Sequence, residues 1–346
     1  MGGGIFGLSC AWEMVRRGAR VRLVEAQGIG AGASGGVVGA LAPHVPERWD
    51  SVKAFQFDSL LAAEPFWREV AASGGGDPGY ARTGRLQPVA DAHGHARALA
   101  RAEGATTLWQ GKAHWHVITA DHAGSWAPQS PTGWLVQDTL SARLNPAAAC
   151  AALAAALREN GAEIVLGQHQ SAAGPTLWAT GAAGLAALNR DVGCKVGREV
   201  GRAIKGQAAL LQLDRRNAPQ LYADGLHVVP HADGTVAVGS TTEREFDDPE
   251  STDAQLDDVL ARAIAAVPEL APAPVLRRWA GLRPRARSRA PILGPRPGHA
   301  GHFIANGGFK IGFGMAPGVA RVIADLVLED RDTIPDAFRL DACLAR

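Results

Sequence analysis

The feature that most restricts how this chain folds stands at its start: Gly2, Gly4 and Gly7 in the spacing Gly-x-Gly-x-x-Gly, with Glu25 placed 18 residues beyond the last of them. Between these points Ile5, Leu8, Trp12 and Val15 recur at helical steps until Gly18, and Val21 and Leu23 alternate with arginines up to Glu25. The first pattern predicts an amphipathic helix of about three turns and the second a strand. A glycine-rich turn, helix, strand and acid in this order make a dinucleotide-binding unit. Gly2 permits the tight turn, Gly4 lets backbone approach a pyrophosphate, and Gly7 lets helix and strand pack closely. The helix N-terminus presents N–H groups and its dipole to phosphate, and Glu25 is placed to accept from ribose hydroxyls. This pattern alone does not separate nicotinamide from flavin dinucleotides.

Such a unit has a buried strand immediately before its first glycine, and here only Met1 precedes Gly2. The expectation is a start upstream, or a truncated product with weakened cofactor binding, Met1 being the last apolar residue of that strand. Downstream, Phe55, Leu60, Leu61, Phe66, Trp67 and Val70 predict a long helix over 51–72, closed by Gly74 to Gly76. Residues 84–89 read as a strand entering a β-rich region. Asn145 and Pro146 open an alanine-rich helix to about Asn160, and a strand over 162–166 follows, a second helix-to-strand unit. A buried strand is expected from Thr176 to Thr180, an antiparallel sheet from 207–213, 227–230 and 235–239, and helices over 252–266 and 317–328. The fold class is thus α/β: a Rossmann-like nucleotide domain from 1–80, 140–200 and 285–346, and an α+β substrate domain from 81–139 and 201–284.

Composition removes several classes of function. With 35 Lys and Arg against 34 Asp and Glu the formal charge is +1, so no global field recruits nucleic acid or an anionic membrane. Four widely spaced cysteines form no CxxC pair, which argues against a zinc site or disulfide framework and for a reducing cytoplasm. No apolar run is long enough to span a bilayer, and the N-terminus has no signal-peptide pattern.

The ordered motifs Gly2 to Leu8, Glu25, Gly32 to Gly36, Ala179-Thr180-Gly181, Trp279 to Pro284, Gly307 to Gly312 and Ala316-Pro317 resemble the D-amino acid oxidase superfamily of flavoproteins, nearest its glycine oxidase and sarcosine oxidase branches. The resemblance spans nearly the whole chain. It implies FAD, held non-covalently because no attachment residue has a counterpart, and oxidation of the C–N bond of a small amino acid or secondary amine by hydride transfer to flavin. Oxygen or another acceptor would take the electrons onward. It also implies residue roles. Gly2, Gly4, Ile5, Phe6 and Gly7 would meet the pyrophosphate, Glu25 the ribose, Ala33 and Ser34 the phosphate and flavin, and Thr180 and Gly181 the adenine side. Gly307, Gly308, Phe309 and Lys310 would pass the isoalloxazine, towards which the final helix aims its N-terminus.

For substrate, the resemblance implies a carboxylate clamp from Arg283, whose planar fork suits two oxygens, with Lys310 beside it. Lys310 matches the sarcosine oxidase pattern, where glycine oxidases carry arginine. His227 stands where the glycine oxidase branch has tyrosine, and Thr242 where it has an apolar residue, so the pocket is more polar. His227 is a candidate substrate ligand or proton acceptor near pH 7. No metal is implied. Three rival readings accompany this one: an oxidase module acting on a modified tRNA base, a truncated non-functional flavoprotein homologue, and a nicotinamide-dependent dehydrogenase.

Overall fold

The computed structural model describes residues 1–167 and 174–345. Its first helix, Ile5–Arg16, buries Leu8, Cys10, Ala11 and Trp12 against the interior. The strand Arg22–Glu25 follows and pairs in parallel with Glu163–Leu166. A second group of strands runs beside these: Thr176–Trp178 lies parallel to His302–Asn306, which pairs antiparallel with Ile292–Pro295. Met1 and Gly2 connect the two groups. The Gly2 amide donates to Val24 O at 2.8 Å, the Met1 α-amino group donates to Leu177 O at 2.9 Å, and the Ala179 amide donates to Met1 O at 2.9 Å. Two backbone residues therefore stand at the centre of this sheet, where the sequence pattern predicts the end of a strand.

Helices cover the sheet. In Pro146–Glu159 the Asn145 side chain accepts from the Ala147 and Ala148 amides, and small buried alanines let the helix approach Ile5–Arg16 closely. Ser51–Val70 packs on the final helix, which is Gly312–Glu329. That helix starts five residues before the expected Pro317, because the glycines read as loop already have helical backbone. Pro317 sits inside it at a turn where the next amide, Gly318, donates to Ser59 Oγ at 3.0 Å, so the interruption is supported from the neighbouring helix.

The second domain is built on an eight-stranded sheet. Its strands run in the spatial order Val275–Ala286, Gly201–Gln212, Thr235–Gly239, Leu226–Pro230, Gln220–Ala223, Arg85–Pro88, Trp134–Asp138 and Trp115–Thr119. All pairs are antiparallel except Gln220–Ala223 with Arg85–Pro88. Alternation decides the two faces. Leu86, Ala209, Leu211, Leu221, Val228 and Val238 pack against Leu256, Val259 and Ala263 of the helix Ala254–Ala266. The opposite face, with Ala208, Val229, Ala237 and Trp279, meets Val37 and Val38 of the nucleotide domain.

The strand Val275–Ala286 was not expected from the sequence, and its neighbour begins at Gly201, six residues before the expected start at 207. Gly281 and Pro284 look like breakers, yet the strand is at the sheet edge, where proline is tolerated, and pairs along its length with Gly201–Gln212. The helix Ala92–Leu108 also escaped, since only Ala98 and Ala105 are buried and no apolar stripe shows. Among the described residues no helix is long and apolar enough to cross a membrane.

Candidate active site

A cavity of about 800 Å³ lies between the two domains. At one end stand Gly2, Gly4, Glu25, Ala33, Ser34 and Thr180. Gly2 has φ +104°, and a Cβ there would lie 2.4 Å from Ala179 O, so this turn requires glycine. Gly4 is the N-cap of Ile5–Arg16 without a side chain of its own; the Ile5 amide donates instead to Ser34 Oγ at 3.0 Å. Amides in the first turn of a helix have no carbonyl a turn earlier, and Phe6 of this turn lines the cavity. The Glu25 carboxylate accepts from the Gly3 amide at 2.6 Å and the Gln27 amide at 2.8 Å, so it shapes the loop while lining the cavity.

Gly7 is elsewhere. A Cβ on it would lie 1.9 Å from Gly2 O, and it does not line the cavity. Its expected place against pyrophosphate is corrected: one helical turn rotates it behind the loop, where it permits the close packing of helix on turn.

Opposite, Ile5, Ala179, Gly181, Asn306, Gly307 and Gly308 carry the wall onward to Phe309 and Lys310. Phe309 adopts φ +44°, uncommon for a side-chain-bearing residue. Its amide donates to Pro284 O at 3.1 Å, and the Arg285 guanidinium lies over its ring at 5.4 Å, which ties this loop to the strand bearing Arg283. Gly312 and Phe313 also line the cavity, so the helix Gly312–Glu329 presents an N-terminus with no side-chain cap towards it.

The far end holds Arg283, Lys310, His227 and Ser240. Arg283 is buried, donating to Ser240 Oγ at 2.8 Å and Thr241 O at 3.4 Å. Its guanidinium occupies the space above Gly206, where a Cβ would lie 1.5 Å from Nη2. Burial lowers its pKa to about 10, partly offset by Glu243, so it stays charged. Lys310 Nζ donates to Thr242 Oγ1 at 3.0 Å; burial first, then Arg283 and Arg285, lower its pKa to about 8. Among the described residues no carboxylate forms an ion pair with either cation. This end is a cationic pocket lined by neutral oxygens.

His227 is brought into the same pocket, and its ring packs at 4.8 Å, tilted by 51°, against that of Tyr222, its cross-strand partner. Its expected service as a proton acceptor near pH 7 is corrected. Burial, with Arg85, Lys310 and Arg283 around it, lowers the pKa to about 3, so the imidazole is neutral and a weak base. Sequence reading missed Gly206 and the oxygens of Ser240 and Thr241, because nothing marks a glycine in a strand as clearance for a side chain two strands of sequence away.

Fold and site define a two-domain dinucleotide-binding protein whose cavity ends at Arg283 and Lys310. A family model described as "FAD dependent oxidoreductase" (DAO) matches residues 1–326, and the chain belongs to that family. FAD is its cofactor, and the glycine turn, free first-turn amides and uncapped helix N-terminus facing the cavity fit that group. The chain is 35% identical over 125 residues to a glycine oxidase of Pseudomonas putida, a stretch covering 36% of this chain and 34% of that protein. It thus spans about a third of the length of that relative. Over 359 residues it is 26% identical to the bifunctional protein ThiO/ThiG of a Nostoc species, covering 96% and 52%. Among solved structures, iminodiacetate oxidase of Chelativorans sp. BNC1 superposes with TM-score 0.82 at 21% identity, covering 98% of this chain and 97% of the other. Glycine oxidase of Geobacillus kaustophilus gives 0.81 at 22%, covering 98% and 96%. These two likenesses concern the fold.

Proposed function

We propose that this protein oxidises the C–N bond of a small amino acid or secondary amine bearing a carboxylate, with FAD held non-covalently along the cavity. The observation that carries the reading is the pair of cations facing the cavity, buried Arg283 and exposed Lys310, whose hydrogen-bond partners among the described residues are hydroxyl and carbonyl oxygens. A buried cation such as Arg283 without counter-charge is costly unless an anion completes the site. A substrate carboxylate supplies that anion, and the guanidinium fork fixes its plane.

In this reading Gly2, Gly4, Ile5 and Phe6 receive the pyrophosphate, Glu25 the ribose, Ala33 and Ser34 the stretch between phosphate and flavin, and Thr180 and Gly181 the adenine side. Gly307, Gly308, Phe309 and Lys310 lie along the flavin. When bound, FAD supplies a two-electron acceptor for the hydride of the substrate's Cα–H bond. Arg283 and Lys310 orient the substrate by its carboxylate and exclude water from that end. Neutral His227 offers a hydrogen bond without adding a third charge. The uncapped N-terminus of Gly312–Glu329 favours negative charge where it meets the cavity. The polarity of Thr242 and the presence of Lys310 favour secondary amines over glycine.

The test is direct. The purified protein is reconstituted with FAD, its visible spectrum recorded, and glycine, sarcosine, iminodiacetate, D-alanine and D-proline added anaerobically. Bleaching by one or more of these, abolished in Arg283→Met, is the expected result. A protein that binds FAD but is bleached by none of them overturns the substrate class.

A further inference from the structure

Among the described residues Glu243 is a buried carboxylate whose charge acts on Arg283. It sits three residues beyond Ser240, which receives the guanidinium, and one beyond Thr242, which receives the Lys310 ammonium. An acid beside a buried cation ordinarily pairs with it, and the charge offered to a substrate carboxylate would then be spent within the protein. The structure shows a different partnership. Lys205, only 2% exposed, places Nζ 3.6 Å from Glu243 Oε2. Gln207 Nε2 donates to Glu243 Oε1 at 3.1 Å, and the Thr241 hydroxyl donates to the same oxygen. The backbones of Lys205 and Glu243 also exchange both hydrogen bonds at 3.0 Å, which fixes the register of the acid beside the lysine.

The geometry points to a positioning function: the buried Lys205–Glu243 pair withholds Glu243 from Arg283, so that the guanidinium keeps its charge for the carboxylate of the substrate. Lys205, Gln207 and Thr241 act through Arg283 and do not touch the substrate themselves. This inference rests on the proposed reading that Arg283 receives a carboxylate. It explains why the residues Arg283 itself contacts, Ser240 and Thr241, present only neutral oxygens. It also accounts for a lysine and a glutamate buried side by side in a strand pair, where apolar residues of similar volume commonly cost the fold nothing.

The experiment uses the FAD-loaded protein and sodium acetate as the probe, followed by the flavin difference spectrum, with melting temperature measured alongside. Acetate binding by the unaltered protein tests the reading itself; the variants test the inference. Lys205→Met frees Glu243 to turn to Arg283, and acetate affinity should fall about tenfold or more, with KM for the amine rising more than kcat falls. The double variant Lys205→Met/Glu243→Gln removes both charges and should recover affinity to within about threefold. Should Lys205→Met fail to fold, Ser240→Asp supplies an exposed-side carboxylate to Arg283 and should weaken acetate similarly at unchanged melting temperature. Acetate binding by Lys205→Met equal to the unaltered protein, or a double variant as weak as the single one, overturns the inference. So does Ser240→Asp binding acetate normally. A merely structural pair would lower the melting temperature and leave the acetate constant where it was.

Discussion

Gly206→Ala probes the site through the space it leaves. Gly206 lies in the strand Gly201–Gln212, opposite Gly281, without positive φ, so alanine suits the backbone. The new methyl would lie 1.5 Å from Nη2 and 2.1 Å from Cζ of Arg283. Both atoms belong to the end of a flexible side chain, so the guanidinium moves and the sheet does not. The move breaks the bonds to Ser240 Oγ and Thr241 O and withdraws the fork from the pocket. A charge-assisted hydrogen bond contributes about 1.5–3 kcal/mol. Losing one such bond to the substrate predicts a fall in kcat/KM of about tenfold to 150-fold. The gain of up to about 1 kcal/mol from narrowing the unfolded ensemble offsets part of the roughly 1–3 kcal/mol cost of the lost buried hydrogen bonds, so the fold should persist with a modestly lower melting temperature. Steady-state oxidation of the best amine, with a thermal melt of the same preparation, measures both. A variant with KM and kcat within twofold of the parent would refute the place given to Arg283; a variant that loses activity together with its fold would refute the account of Gly206.

Three further outcomes follow from the same site. Lys310 is cationic below its pKa of about 8, so its contribution to binding a carboxylate is full below that value and is lost as pH rises through it. The profile of kcat/KM should show a descending limb there that Lys310→Arg moves upward; an unmoved limb assigns it to another group. His227, with its pKa lowered from 6.5 to about 3, should give kcat/KM no imidazole limb between pH 5 and 7. Its sign for stability is fixed too: unfolded chains take up the proton first, so stability falls as pH drops below 6.5 towards 3, and His227→Gln should flatten that slope in pH-dependent melts. Gly2→Ala combines a φ of +104° with a Cβ 2.4 Å from Ala179 O, and should cost about 1–3 kcal/mol in backbone strain alone and release FAD; unchanged FAD retention on gel filtration would contradict the cradle.

Much of this was legible because the responsible signals are local. The glycine turn, its helix and Glu25 are contiguous, and their order alone specifies a nucleotide site. Asn145 with Pro146 marks a helix start by its own chemistry. The pocket is different in kind. Arg283 meets Ser240 across 43 residues and Lys310 meets Thr242 across 68; the resemblance named Thr242, but these contacts appear only when strand pairing is known. The family motif named Arg283 and Lys310 but carried no information about Gly206 or Glu243. The weak basicity of His227 was not legible, because it comes from burial first and then from Arg85, which lies on a separate strand. The final helix began early because glycine in sequence signals freedom, whereas in a packed helix it signals contact, as where a Cβ on Gly314 would lie 3.1 Å from Leu60 Cδ2.

The junction at Met1 and Gly2 makes the cofactor a mechanical part of the protein. The same two residues bridge the halves of the nucleotide-domain sheet and line the cavity. Whatever grips Gly2 from the cavity side therefore clamps Val24 to Ala179 through it. Occupancy and sheet integrity become one linked equilibrium, in which ligand at a hundred times its dissociation constant adds about 2.7 kcal/mol to stability. Amide exchange at Gly2 and Ala179 should slow in step with FAD concentration, more than exchange in the sheet of the other domain, which has no such seam.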